Sequence, residues 1–469
     1  MSFASSRVFA ALIATALAAC APTPEPGSLY RPSDTAAVRP PGALPDLPGY
    51  GSKAGRQEIP WTRRSIAGDF VEITFFAEWG TRLSAQLRWR RPVRVAAIGD
   101  ALAPYQPRID SLVARIDAAA PGLDISTASR AEEAEAEIVL RLAPRGAMRE
   151  VAPTALCFLT PFRGDWPAYR AAAARGEARW ADQTVLEAVT IFIPDNLAPN
   201  EARSCIEEEI VQSLGPVNDL YRIEDSIFND DNVHQSATAF DLMIVRVLYD
   251  PAMRDAETID EARRAAERAL ADVPLSLLSG DRTRVRREAH DDRYTDNFKR
   301  YQEADGAQET KKWAQRLSQT VEAFGPEDHR RGEAARALGF AALLGDRPGD
   351  AIRELRRAER FFAARIGPDS LRRATVCLSL GRTLFSEWRY EEALEELGAA
   401  IPVLAAHERE ADLAQALRFS AVALAREGKP EAATQKAREA IAWAEYAFGV
   451  DAPAVKQWRG EFKKNDVNF

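Results

Sequence analysis

The sequence predicts an α/β domain over residues 66–279, followed by an all-α array of helical repeats over residues 280–469. Two observations lead to this prediction. Between 66 and 279, short runs rich in β-branched and aromatic residues alternate with segments whose apolar residues recur at helical spacing. After 280, similar segments recur at intervals of about forty residues, the period of a helical repeat array. A chain of 469 residues has room for both parts.

The first twenty residues have the pattern of a secretory signal. Arg7 precedes an apolar run, 8–19, that is long enough for a signal peptide and too short to span a bilayer. The run ends in Leu-Ala-Ala-Cys at 17–20, which resembles the lipobox of bacterial lipoproteins. The resemblance implies cleavage before Cys20 and lipidation of that residue, and Ala21 in place of aspartate implies sorting to the outer membrane. The alternative is an ordinary signal peptide in which the cysteine occurs by chance.

Residues 21–65 have the composition of a spacer. Nine prolines lie between 21 and 60, and no convincing periodicity accompanies them. Proline-rich chains favour extended, solvated conformations. We therefore expect a disordered tether that holds the folded part away from the membrane, with lipid as the only anchor.

The charge balance excludes one class of partner. The net charge is −8 and the arginines are scattered along the chain. A nucleic-acid surface needs clustered positive charge, so nucleic acid is not an expected partner.

Within the first domain the predicted order is strand, helix, three strands, strand and helix. A helix is expected over 107–119, and the strand-like runs are 70–76, 82–95, 92–98, 123–127, 137–142, 156–159 and 189–193. The next helix carries residues 205–214, with Asn200 suited to cap its start. Gly215 followed by Pro216 ends it, because proline cannot continue a helix.

The four cysteines have different expected roles. Cys20 is the lipid site, and Cys377 stands alone on a repeat helix as an expected small core residue. In an oxidising periplasm, Cys157 and Cys205 form the natural disulfide. Closing a loop of about fifty residues is worth roughly 4 kcal/mol in the chain-entropy model.

The helix at 205–214 lies in the frame H-E-x-x-H-x-x-G-x-x-H of the zinc proteases. Its three ligand positions hold Glu208, Gln212 and Asn218, whereas Glu209, the general-base position, and Gly215 match the frame. This motif and the element order before it resemble the upper half of the metzincin metalloproteases. The resemblance implies a zincin-like mixed sheet that carries an active-site-type helix.

A second resemblance is to a bacterial family of unknown function with the same topology, over roughly residues 90–275. The segments that carry it are the Cys157 and Cys205 pair, the E-E-x-x-Q-x-x-G core, and residues 218–219, 226–230 and 248–251.

The residues at the ligand positions do not suit zinc. A catalytic zinc takes three protein ligands, mostly imidazole nitrogens, and the amide of Gln212 is a weak ligand. The chain has four histidines, and only His234 lies in this domain. Glu209 then has no metal-bound water to deprotonate. We therefore expect no cofactor, and we interpret Glu208, Gln212 and Asn218 as a hydrogen-bonded network that replaces the metal as a local cross-link.

Two other interpretations stay open. The same three residues with Asp219 could form a hard-cation site for calcium or manganese. A carboxylate pair, Glu208 with Glu209 or Asp230, could hydrolyse without metal, although adjacent helical residues point about 100° apart. The acidic turn 229–232 lacks the glycine and alternation of a calcium loop, so we expect a solvated turn.

The second domain repeats itself. The segments that align are 325–328 with 367–370, forty-two residues on, and 349–352 with 391–394 and 431–433. Gly339 and Gly381 occupy the small-residue position of the first helix, which Ala421 takes in the third copy. These pairs resemble tetratricopeptide repeats of the kinesin-light-chain-like kind. Three copies are clear, and a weaker fourth is expected at 302–323.

The repeat resemblance implies a concave surface that binds a peptide or a partner helix. Arg382, Trp388 and Tyr390 are candidates to line it. Residues 388–390 fall at a turn between helices, where packing is the commoner role.

Together these features predict a lipid-anchored scaffold in the cell envelope, facing the periplasm, that binds a protein or peptide and is not an enzyme. The alternative is a hydrolase, either a peptidase or a glycan-cleaving enzyme, with an unorthodox metal or acid site around Glu208 and Glu209.

Overall fold

The structure is a computed structural model that describes residues 41–53, 62–77, 81–130, 132–152, 155–229, 231, 233–254, 256–271, 273 and 291–467. The predicted signal segment with its lipid site Cys20 lies outside the described residues, as do Asp230 and the predicted domain boundary at 279/280. No helix in the described part of the chain is long and apolar enough to cross a bilayer.

A mixed sheet forms the centre of the first domain. After a short antiparallel ribbon of β1 and β2, five strands follow in the order β4-β3-β5-β7-β6, and β6 alone of these five is antiparallel to its neighbour. The bounds are β1 Phe76–Ala77, β2 Thr81–Arg82, β3 Val93–Ile98, β4 Ile125–Thr127, β5 Ile138–Ala143, β6 Phe158–Thr160 and β7 Val189–Pro194. Every residue of β7 is buried, as expected for a strand covered on both faces.

Seven helices surround this sheet in the described residues of the first domain. They are α1 Arg63–Phe75, α2 Gln106–Ala119, α3 Arg145–Arg149, α4 Trp166–Ala174, α5 Pro199–Gln212, α6 Ala239–Leu248 and α7 Ile259–Ala269. The helix predicted over 107–119 and the strands predicted over 123–127, 137–142, 156–159 and 189–193 are confirmed to within a few residues.

The strand predicted over 70–76 is wrong, because most of this segment belongs to helix α1. Its β-branched and aromatic residues suggested a strand, yet Ile66, Phe70 and Ile73 follow helical spacing and are fully buried. Thr62 caps the helix by accepting from the backbone N–H of Ser65, whose hydroxyl in turn receives the N–H of Thr62. Capping and periodicity together outweigh the weak strand propensity of the residues.

The strand predicted over 82–95 is also largely wrong. Only its ends belong to strands, in β2 and β3, and residues 83–92 between them are irregular. Leu83, Leu87 and Trp89 are nevertheless buried in the main core. The apolar residues of segment 83–92 therefore indicate that it is buried, and they do not indicate that it pairs as a strand.

Antiparallel helices build the second domain. The bounds are α8 Asp291–Glu303, α9 Ala307–Thr320, α10 Arg330–Leu344, α11 Pro348–Arg365, α12 Leu371–Ser386, α13 Tyr390–Ala406, α14 Glu410–Arg426, α15 Pro430–Phe448 and α16 Pro453–Lys464. The three predicted pairs are α10–α11, α12–α13 and α14–α15. The weaker fourth pair is α8–α9, which starts before the predicted residue 302.

Small residues set the close contacts inside the pairs. A Cβ added at Gly339 would lie 2.8 Å from Cγ of Leu355, and one at Gly381 would lie 2.7 Å from Cγ of Leu397. Ala421, at the third position, is fully buried. The small residue recurs at this position because the two helices of a pair lie close together there.

The disordered tether predicted over 21–65 is wrong for its described residues. Helix α1 begins at residue 63, and residues 41–53, although irregular, lie against α13, α14 and α15. Proline content predicted the lack of regular structure and could not predict this docking.

Candidate functional site

The candidate site lies on α5, which follows the buried strand β7. Pro199 is the first helical residue, and Glu201 accepts a hydrogen bond from the N–H of Ala198 at 3.0 Å. Asn200 was expected to be the cap, but it lies inside the first turn and is buried. Pro199 takes the first helical position, where proline is favoured, so Ala198 is the N-cap residue and Glu201 bonds its backbone N–H.

The helix ends as predicted. Its last residue is Gln212, and Gly215 follows with φ +123°, a value that favours glycine. Its Cα packs so closely on the backbone of Leu87 that a Cβ would lie 2.2 Å from the carbonyl oxygen. This turn brings residues 216–219 back beside the end of α5.

The zinc-ligand positions of the motif are occupied by side chains with other partners. Nε2 of Gln212 donates to Oδ1 of Asp219 at 3.1 Å, and Nδ2 of Asn218 donates to the carbonyl of Glu72 at 2.9 Å. Gln212 is 3% exposed and Asn218 is 8% exposed, whereas Glu208 is half-buried. The first bond joins α5 to the turn that follows it, and the second joins that turn to α1. Neither bond joins Gln212 to Asn218.

Glu209, the residue at the general-base position, is only 4% exposed. In the described part of the chain, no group of three or more histidine, cysteine, aspartate or glutamate side chains is arranged to hold a metal ion. Asp219, the fourth oxygen donor considered for a hard cation, accepts the bond from Gln212.

Glu207, which no sequence motif singles out, is fully buried in α5. Its carboxylate lies 2.7 Å from Nε of Arg108 and 3.4 Å from Nη1 of Arg115, and it accepts the N–H of Ala237 at 2.9 Å. The two arginines are seven residues apart on α2, which puts them on one helical face. That spacing was the signal that could have indicated a buried carboxylate opposite them.

The predicted disulfide is present. Cys157, just before β6, is bonded to Cys205 in the middle of α5, with 6.1 Å between the Cα atoms. The bond ties the edge of the sheet to the helix. Cys377 is free and buried, and burial raises the pKa of its thiol, as expected of an inert core cysteine.

Residues 63–268 match a family described as "Protein of unknown function (DUF2927)". The match begins at α1 and ends in α7, so it coincides with the α/β domain. It confirms the resemblance to a family of unknown function and extends it from residue 90 back to residue 63. The description assigns no activity.

No curated protein matches the chain. Among solved structures, the putative kinesin light chain of Podosopora anserina, described as nearly identical TPR-like repeats, is 16% identical with a TM-score of 0.30. That match covers 37% of this chain and 89% of the other. Aspartyl phosphate phosphatase F from Bacillus subtilis also has 16% identity and a TM-score of 0.30, with coverage of 48% and 60%. An identity of 16% and a TM-score of 0.30 are too low to support a conclusion about the function of this chain.

The DUF2927 domain contacts the repeats through the start of α5. Arg203 forms an ion pair with Glu410 at the start of α14, and its guanidinium lies 4.2 Å from the ring centre of Tyr446. Nearby, Arg108 donates to Glu408 at 2.5 Å, and Ser236 donates to the same carboxylate at 3.0 Å. Burial alone would raise the pKa of Glu408, but Arg108 and Ser236 hold it below its ordinary value.

A loop of the DUF2927 domain, residues 221–238, covers the first helices of the repeat pairs. Arg372 on α12 lies 2.7 Å from Asp231 and donates to the carbonyl of Glu224 at 2.8 Å. Arg409 donates to the carbonyl of Val233 at 3.0 Å. This face of the repeats is therefore occupied by the chain's own loop.

The solvated turn predicted over 229–232 is wrong for the residues described there. Asn229 is 1% exposed and Asp231 is 3% exposed. The aspartate points to Arg372 rather than to water, because the repeats pack over the turn.

The three candidates for a binding surface lie together around the turn between α12 and α13. Trp388 is 69% exposed and has φ +63°, whereas Tyr390 packs against Phe385 with ring centres 5.5 Å apart. Arg382 stacks over the ring of Phe419 at 5.7 Å. Tyr390 and Arg382 therefore have packing contacts, and Trp388 is the exposed member of the group.

Asp241, at the start of α6, makes stability depend on pH. Burial raises its pKa to about 6, against hydrogen bonds from Ser226, Thr238 and the N–H of Ile227 that lower it. The folded carboxyl then holds its proton more tightly than the unfolded one. Its contribution is present at low pH and is lost as pH rises through 6.

We expect this loss to be about 2 kcal/mol between pH 4 and pH 7. Denaturation at both pH values should show that the stability gap between wild type and Asp241→Asn shrinks by this amount as pH rises. The exposed control Asp124→Asn should keep a constant gap. A gap for Asp241→Asn that is the same at both pH values would contradict the assignment.

Proposed function

We propose that this chain is a lipoprotein of the cell envelope that binds a protein or peptide and does not catalyse a reaction. In this proposal the lipid is attached at Cys20, the protein faces the periplasm, and the anchor lies in the outer membrane. The DUF2927 domain is then a zincin-like domain without its zinc, fused to tetratricopeptide-like repeats.

One observation carries the non-catalytic part of the proposal. Glu209 is 4% exposed, and Gln212 and Asn218 have structural hydrogen-bond partners. A general base must reach the proton that it abstracts, directly or through one water. A carboxylate that is 4% exposed does not meet that requirement.

The strand order supports the zincin-like part. Four strands are parallel, the short edge strand β6 is antiparallel, and the motif helix follows β7 directly. An edge strand of this kind can pair with an extended peptide through main-chain hydrogen bonds, and this ability does not depend on a metal. Trp388 offers a second exposed contact, because aromatic residues are enriched where partners bind.

The proposal is tested by replacing the would-be base. Glu209→Gln keeps the shape of the side chain and removes its basicity, so the mutant phenotype and partner capture from envelope extracts should equal those of wild type. The exposed substitution Glu391→Gln is the matched control. Elemental analysis of purified wild type should show no stoichiometric metal.

The opposite results would support the hydrolase. If cells with Glu209→Gln lose the wild-type phenotype while cells with Glu391→Gln keep it, and the purified protein holds about one equivalent of metal, the scaffold proposal is overturned. The anchor is tested on the same samples, because Cys20→Ser should move the protein from the outer-membrane fraction to the soluble fraction. Unchanged fractionation would remove the lipid from the proposal.

A further inference from the structure

Residues 41–53 lie on the repeats in the manner of a bound peptide, and we call them the strap. The N–H of Gly42 donates to the carbonyl of Glu445 at 3.2 Å. At the other end, Gly51 and Lys53 donate to the last two carbonyls of α13 at 3.0 and 2.8 Å. The last carbonyls of a helix lack partners within it, so the strap supplies bonds that the helix cannot.

The strap contains no helix or strand and makes its own short turns. The N–H of Tyr50 donates to the carbonyl of Leu47, and that of Ser52 donates to the carbonyl of Gly49, both at 3.1 Å. Its conformation is therefore set by local turns and by the surface beneath it.

Tyr50 is the principal side-chain contact of the strap. Its ring lies 4.7 Å from the ring of Trp443, and its hydroxyl lies 3.4 Å from Oε2 of Glu410. Burial and the nearby Glu410 carboxylate raise the pKa of Tyr50, so the phenol stays protonated and can donate. Leu47 adds an apolar contact to the same cluster.

The strap passes close to its surface at two glycines. A Cβ at Gly42 would lie 3.1 Å from the carbonyl carbon of Glu445. At Gly51, where φ is +69°, a Cβ would lie 2.9 Å from Oε1 of Glu408. The backbone at Gly51 thus favours glycine, and the close approach at Gly42 favours a small residue, so the surface discriminates by sequence at these two places.

The carboxylates under the strap also hold the two domains together. Glu410 pairs with Arg203 and Glu408 pairs with Arg108, both from the DUF2927 domain. Tyr50 and Gly51 therefore sit over the junction between the domains.

We infer that this surface, formed by the end of α13, the start of α14 and α15, is a peptide-recognition site whose ligand in cis is residues 41–53. The ligand that it takes is an extended glycine- and proline-rich segment that presents a tyrosine. A separate peptide with the strap sequence binds the same surface once the strap is released. This inference deepens the proposed function by naming one binding site of the scaffold.

The test removes the strap and keeps the rest of the chain intact. A protease site is inserted within residues 54–61, the chain is cut there, and the freed segment is removed by gel filtration. Circular dichroism verifies that the rest is folded. A labelled peptide of residues 41–53 is then titrated by fluorescence anisotropy.

The unmodified peptide should bind saturably. Tyr50→Ala and Gly51→Ala peptides should each bind at least about tenfold more weakly, which corresponds to about 1.4 kcal/mol. The control peptide Leu44→Ala should bind within about twofold, because Leu44 is 56% exposed. The inference is overturned if the cut chain is folded but does not bind the unmodified peptide. It is also overturned if the cut chain binds the Tyr50→Ala peptide as tightly as the unmodified one.

The uncut chain provides a second measurement if cutting unfolds the protein. Hydrogen exchange should show protected amides at Gly42, Gly51 and Lys53, and Tyr50→Ala should remove that protection. Equal protection in the variant overturns the inference. Failure of this inference can be told apart from failure of the proposed function. If the protein captures a partner but does not bind the peptide, only the peptide site is overturned. If it binds the peptide but captures no partner, only the scaffold proposal is overturned.

Discussion

Replacing Arg372 by methionine should lower the free energy of unfolding by about 3–5 kcal/mol, because the buried Asp231 loses its arginine partner and the buried Glu333 keeps only Arg336. The Arg372 side chain has no exposed surface and lies 2.7 Å from both Asp231 and Glu333. Burial alone would raise the pKa of Glu333, yet Arg336 and Arg372 hold it below its ordinary value. Without Arg372, two carboxylates from different domains remain buried and repel each other.

The measurement is urea denaturation near pH 7, with Arg353→Met as the control. Arg353 pairs with Asp350 on the surface and its side chain is 65% exposed, so its loss should cost less than about 1 kcal/mol. Equal effects of the two substitutions would show that the contact between the loop and the repeats adds nothing to stability.

Removing the disulfide should have an effect of similar size. Cys157 and Cys205 are 48 residues apart in sequence, and closing a loop of that length stabilises a protein by about 4 kcal/mol in the chain-entropy model. The double variant Cys157→Ser with Cys205→Ser should lose this amount, and reductant should destabilise wild type by the same amount.

Reductant applied to the double variant is the internal control. Cys377 is then the one cysteine left in the described residues, and it is buried and free, so no further change is expected. A wild-type protein that is as stable with reductant as without it would contradict the prediction. Because disulfides persist in oxidising compartments, the same result would remove one support for the proposed periplasmic location.

Much of the fold could be predicted where the determining pattern is local. The strands near 138 and 189, the helix at α2 and the end of α5 at Gly215 follow from short-range periodicity and turn chemistry. The three clear helix pairs follow from repetition itself. At α1 the residue types favour a strand, but the helical spacing of Ile66, Phe70 and Ile73 decides the structure.

The candidate site was only partly predictable. The motif located α5, and its ligand positions hold Glu208, Gln212 and Asn218 where the zinc-protease frame has histidines. The partners of its side chains were not visible, because Gln212 bonds to a following turn and Asn218 bonds to the backbone of α1. Glu207, whose partners lie on α2 and in the 221–238 loop, went unnoticed for the same reason.

By itself, the sequence determined the class of each domain, the disulfide and which residues stand at the ligand positions of the zinc-protease frame, since each depends on residue identity or on spacing within an element. Only the tertiary structure decided that the repeats cover the motif helix, that Asp231 is buried against Arg372, and that the strap is docked. These contacts join residues more than a hundred positions apart, so local sequence patterns cannot predict them. They form because two independently patterned domains bury their remaining polar surfaces against each other, and a buried charge needs a partner wherever along the chain that partner lies.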